Sequence, residues 1–168
     1  MVEAIKTEYH LACRLLRLIA YILAGGVLAQ AFSCLASYYL IYDSQAAGML
    51  AHLLIQHLSY YFLGGAFVIL SLSNVLIKKG LSSLTSIRIP SLTLILVIAA
   101  TSFLLIPRMD YLRETALLDG MPVMLSPFAN YFLILNSLTL VFVIGQIALS
   151  VSIAWHLSKH LSSQISSH

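Results

Sequence analysis

Four apolar stretches, each long enough to cross a bilayer, constrain this 168-residue chain more than any other feature. Crossing about 30 Å of hydrocarbon takes about 20 largely apolar residues in a helix. The stretches run from Leu15 to about Ile41, from about Ala46 to Ile77, from Ile89 to Pro107, and from Phe128 to about Trp155. None shows the short-period alternation of a barrel strand, so they are expected to be helices. The expected fold is an all-α membrane protein, a single domain built as an antiparallel four-transmembrane-helix bundle. Composition agrees, because 60% hydrophobic and 9% charged residues would leave a soluble fold with a surface too apolar to stay dispersed. Cys13 and Cys34 stand at opposite ends of the first helix, about 30 Å apart at helical rise, which excludes a disulfide between them.

Arg14 and Arg17 before an apolar run, with Ala29-Gln30-Ala31 after it, have the outline of a signal peptide. The run continues through Leu35 and Tyr38 to Ile41 without turning polar, which favours a retained helix. Lys6, Arg14, Arg17, Lys78, Lys79, Arg88 and Lys159 fall on the side of the termini, against Arg108 and Arg113 on the other. This asymmetry predicts a bacterial cytoplasmic (inner) membrane protein with both termini in the cytoplasm. The net charge of +3 is spread without a basic stripe, so the lipid bilayer, and not nucleic acid, is the expected partner.

The Tyr42–Gln45 segment reads as a tight external hairpin, and Lys78 to Pro90 as a short basic turn on the other side. Between helices three and four, Arg108 to Pro127 carries Met109, Leu112, Ala116 and Leu117 at helical spacing. It reads as a short helical external segment, either an extension of helix three or a helix at the interface, ended by Gly120 and Pro122. Residues from Ser158 to His168 read as a frayed tail. Gly25-Gly26 and Gly64-Gly65 fall at similar depths on antiparallel neighbours, where glycine lets two helices approach closely. A hinge for alternating access is the rival reading of these pairs.

Polar residues within a span are candidate functional groups. Here they are Gln30, His52, Gln56, His57, Asn74, Asn136 and Gln146, with no acid or lysine in mid-span. His52 and Gln56 share a helix face, whereas His57 points about 100° away. Interhelical hydrogen bonding is their expected role, with haem at His52 or His57 as the alternative. His156 and His160 at the end of helix four, with His10, form a weaker metal candidate. Phosphate-loop, nucleophile-elbow, zincin and Cys-x-x-Cys motifs are missing, so no catalytic residue, metal or cofactor is expected.

Pro107 implies a bend or end of helix three, which delivers Arg108 to the outer headgroup level, with Asp110 and Arg113 close by. Arg108 either snorkels to the interface or anchors the external segment over a small polar site that includes His57 and Asn136.

Ile106-Pro107-Arg108-Met109-Asp110-Tyr111-Leu112-Arg113, Gly120-Met121-Pro122-Val123-Met124 and Ser126-Pro127-Phe128 resemble small four-helix bacterial membrane proteins related to eukaryotic transmembrane protein 205. Phe132, Leu135-Asn136-Ser137 and Gln146 resemble the opening of that family's fourth helix. The likeness is strongest over about residues 100–150, and the family often has His where Asn136 stands. It implies the four-span layout and supplies no reaction. The expected function is therefore non-enzymatic: an accessory or regulatory subunit among other membrane subunits, or a lipid or small-molecule binder. A haem or redox subunit and a small exporter are the alternatives, the last requiring a wet cavity that reaches Gln30, His57 and Asn136.

Overall fold

The computed structural model describes the backbone of residues 2–81 and 84–165 and the side chains of residues 11–81 and 84–159. Helix α1 spans Val2–Leu40 and α2 spans Ser44–Lys78. Helix α3 (Thr85–Ala100) passes through a π-helical turn (Thr101–Leu105) into α4 (Ile106–Leu118), and α5 spans Ala129–Ile165. No strand occurs among the described residues. Four stretches are long and apolar enough to cross a membrane: Leu11–Leu40, Ser44–Lys78, Thr85–Leu118 and Ala129–Lys159. The chain is an integral membrane protein, an all-α bundle of four long helices with their outer faces to lipid.

Packing runs in a ring, with α1 against α2, α2 against α3, α3 against α5, and α5 back against α1. Short connections make every neighbouring pair antiparallel. The α1–α2 and α4–α5 connections lie at one end of the bundle, called here the distal end, opposite the chain termini. Asp43 starts α2 by accepting the Gln45 backbone N–H at 2.9 Å, satisfying one of the free donors of the first turn. Both other connections use glycine in the left-handed region. Gly80 (φ 106°) and Gly120 (φ 74°) each follow a helix end. The next residues, Leu81 and Met121, donate back to the carbonyls of Leu76 and Ala116 at 3.1 Å.

The third span runs on past the expected end. Where Pro107 is expected to finish or bend it, helical backbone continues to Leu118, so the charged external segment is an extension of the same rod. Proline removes its own N–H and crowds the carbonyl four residues back. The π turn takes up that misfit, with the Ile106 N–H reaching Thr101 O, five residues earlier. Other boundaries also move outward: α1 begins at Val2, and α3 at Thr85 includes Arg88 and Pro90 in its first turns. Helix α5 runs through Ser158, the expected start of fraying, to Ile165. Residues 166–168 of the tail and 82–83 of the basic turn lie outside the described residues.

The main core fills the half near the termini, where Leu16, Val27, Ile69, Ile87, Leu94, Ile98, Ile153 and Leu157 interlock. A second cluster at the distal end packs Met109, Leu112 and Ala116 of α4 on Phe132 and Leu135 of α5 and on Val123. Since lipid is as apolar as these side chains, close packing and hydrogen bonds between helices must supply the cohesion. The four glycines divide accordingly. A Cβ on Gly26 would lie 2.8 Å from Phe62 Cε1, and one on Gly65 would lie 3.4 Å from Leu23 Cδ1. Gly25 and Gly64 have open space around them, so one glycine of each pair faces the α1–α2 seam and the other faces away.

Candidate functional site

The distal half of α1 is built from small residues, and so is the facing start of α2. Ala31 and Cys34 on α1 and Gly48 and Ala51 on α2 recur every third or fourth residue, so each pair forms a stripe on one helix face. With so little side chain on both walls, the helices enclose space. A cavity of about 700 Å³ lies there, bounded also by α5 through Phe132, Asn136, Thr139, Val143 and Ile147. Leu35, Leu140 and Ile144 line it and are also exposed on the bundle surface, so it opens towards lipid between α1 and α5. Its volume falls within the about 300–1,000 Å³ of small-molecule sites.

One end of this apolar cavity is polar. Arg113, only 5% exposed, reaches in from α4, and His52, 4% exposed, from α2. Asp110 joins them: His52 Nδ1–H donates to Asp110 Oδ1 at 3.0 Å, and Arg113 Nη1 donates to the same oxygen at 3.3 Å. The direction of the histidine bond follows from the carboxylate, which in its ionised form only accepts. The Phe132 ring lies 5.5 Å from the guanidinium carbon, within cation–π range. A Cβ on Gly48 would lie 3.2 Å from both Arg113 Nη2 and the Tyr38 hydroxyl. The missing side chain at Gly48 is therefore what lets the guanidinium and the phenol lie close against α2. Arg113 Nε is buried without a hydrogen-bond partner.

This cluster sits near the membrane boundary. Helix α2 is about 52 Å long at 1.5 Å per residue, and His52 lies about 12 Å from its distal end. Centring a 30 Å hydrocarbon slab on such a helix leaves about 11 Å beyond it at each end, so the His52–Asp110–Arg113 cluster is at the slab edge. There a carboxylate can retain partial solvation, and the Asp110 side chain is 38% exposed.

The remaining candidates disperse. Asn136 lines the cavity half-buried. His57 is exposed on the outside of α2 and bonds the Leu53 carbonyl of its own helix at 2.9 Å. His52 and His57 therefore do not converge on one centre, and the cavity reaches neither Gln30 nor His57. Gln30 is fully buried in α1, with both amide atoms unpartnered. Gln146 of α5 donates through Nε2 to Thr101 Oγ1 at 3.2 Å, tying α5 to the first residue of the π turn. Gln56 and Asn74 are half-buried on α2. His156 is half-buried near the end of α5, while the side chains of His10 and His160 lie outside the described residues. Among the described residues no group of three His, Cys, Asp or Glu side chains could hold a metal.

Of the two readings of Arg108, an interfacial side chain or an anchor, its exposure fits the first. It is exposed, with its guanidinium carbon 5.6 Å from the Tyr111 ring and 5.9 Å from the Tyr131 ring. Asp110 and Arg113, two and five residues further along the helix, turn inward and make the contacts to the bundle. Sequence reasoning also passed over Tyr38 and the small residues Gly48 and Ala51 of the facing helix. The legible signal was the pair of small-residue stripes flanking the Tyr42–Gln45 hairpin. No protein-family model, no curated protein and no solved structure matches the chain.

Proposed function

We propose that this chain is a non-catalytic membrane protein that takes up one amphipathic molecule from the bilayer, holding its tail in the distal cavity and its polar group beside Arg113, His52 and Asn136. The observation that carries this reading is the position of the cavity. Its walls are apolar, its side entrance lies between α1 and α5 on the lipid-facing surface, and its polar residues gather at the distal end, which the length of α2 against hydrocarbon thickness sets near headgroup level. A ligand entering sideways would keep its tail in an apolar phase throughout. Binding of this kind suits an accessory or regulatory subunit that responds to membrane composition. The Lys and Arg asymmetry supports a distal end outside a bacterial cytoplasmic membrane, and the likeness to the proteins related to transmembrane protein 205 belongs to the same proposal.

The test is purification of the full chain in a mild detergent, followed by mass spectrometry of the small amphiphiles that stay bound. The expected result is a stoichiometric single-chain amphiphile that Ala31→Phe, which fills the cavity wall, removes while the protein stays folded. Equal retention by parent and Ala31→Phe would refute the reading.

A further inference from the structure

We propose that the polar group of the bound molecule is an anion, a carboxylate or phosphate monoester on a single long chain, and that the guanidinium of Arg113 is what recognises it. The inference rests on the cavity being a ligand site and deepens it. Arg113 lines the cavity, is 5% exposed, and has five N–H donors to satisfy. One of them reaches Asp110, at 3.3 Å, while Nε–H has no acceptor. A buried guanidinium with unfilled donors lacks acceptors, and the cavity it lines is where an oxygen-bearing group can supply them. Phe132 occupies a ring-to-cation position, so the remaining valence of the group is its in-plane edge, which suits the two oxygens of a carboxylate or phosphate.

The neighbouring acids do not cancel this preference. Asp110 has a second partner in His52, whose Nδ1 bond is the shorter of the two at 3.0 Å. Arg113 can therefore turn from Asp110 to a ligand without leaving that carboxylate unpaired. Asp43 also borders the cavity, but it is exposed to water and accepts the Gln45 N–H, so its field is screened. The single chain follows from the volume, which suits one drug-sized amphiphile.

The experiment compares equilibrium binding of oleate, oleoyl lysophosphatidate and oleyl alcohol to the full chain in uncharged detergent micelles, for the parent and for Arg113→Gln. One charge-assisted hydrogen bond made in a partly dry site corresponds to about a ten- to hundredfold gain in affinity. Oleate or the lysophosphatidate should exceed the alcohol by that factor in the parent, and which of the two binds tighter identifies the anion. Arg113→Gln should lose the discrimination and keep the alcohol's affinity. Equal affinities for all three in the parent would overturn the anionic headgroup, even if Arg113→Gln fails to fold, and would leave the cavity reading standing. Parent-like discrimination in Arg113→Gln would overturn the role of Arg113. Failure of all three chains to bind would overturn the cavity reading, and this inference with it.

Discussion

Gly26→Ala should destabilise the bundle, whereas the same change one residue earlier should not. The added Cβ at position 26 would stand 2.8 Å from Phe62 Cε1, closer than packed carbons tolerate. Phe62 is buried in the main core and cannot swing clear without disturbing Leu23 and Val27 around it. Overpacking of this kind costs about 1–3 kcal/mol. Replacing a helical glycine with alanine returns about 0.5–1 kcal/mol of backbone entropy. The net loss is then up to about 2.5 kcal/mol, which for a chain of this size lowers the melting temperature by up to roughly 10 °C. Gly25→Ala and Gly64→Ala meet nothing within 4 Å and should keep the entropic gain, melting roughly 1–4 °C above the parent. Gly65→Ala, at 3.4 Å from Leu23 Cδ1, makes an ordinary contact and should not fall below the parent. Thermal unfolding in one detergent, followed by intrinsic fluorescence, ranks the four variants. In a Phe62→Leu background the Gly26→Ala penalty should disappear, because the ring atoms it strikes are gone. Equal melting of Gly25→Ala and Gly26→Ala, or an undiminished penalty once Phe62 has been shortened, would refute the packing argument.

The Gln146–Thr101 bond joins α5 to the π turn, and a double-mutant cycle with Thr101→Val and Gln146→Leu should return a coupling near about 0.6 kcal/mol, the usual worth of such a bond in a membrane protein. Additive losses would mean that the two side chains do not interact in the bilayer. Gln30→Leu should raise thermal stability by about 1 kcal/mol or more, since it removes a fully buried amide with neither atom satisfied; a fall in stability would show that the amide holds a polar partner. Limited proteolysis across residues 119–128 separates Arg108 from its inward neighbours. Arg108→Ala gives up only exposed ring contacts and should change the cleavage rate by about two- to fivefold at most, because such contacts contribute about 0.5–1 kcal/mol. Asp110→Asn weakens the His52 hydrogen bond that ties α4 to α2, a bond to a charged group worth about 1.5–3 kcal/mol, and should speed cleavage by about tenfold. Equal rates for the two variants would remove Asp110 from its anchoring role.

Number of spans, their helical state and their antiparallel order all follow from one-dimensional facts about this sequence. Apolar run length against hydrocarbon thickness is a local comparison, and connections this short leave no choice of neighbour. The turns were equally legible, because Gly120 and Pro122 obey local backbone rules that the rest of the chain cannot override. What could not be read was the fate of Pro107, since whether a proline ends a helix depends on whether the turn before it can widen, and here the chain continues as α4 through the π turn. Helix rotation was also decided in three dimensions. Arg108 and Arg113 are both arginines on one amphipathic stretch, but packing of Met109, Leu112 and Ala116 against α5 turns Arg113 inward and Arg108 out. His52 and His57 part in the same way, one meeting Asp110 from a helix far away in sequence and the other facing lipid. The cavity itself is the clearest case. Small residues on α1 and α2 were visible from the start, yet whether facing small residues close into a tight seam or leave a space depends on what the third and fourth helices put between them.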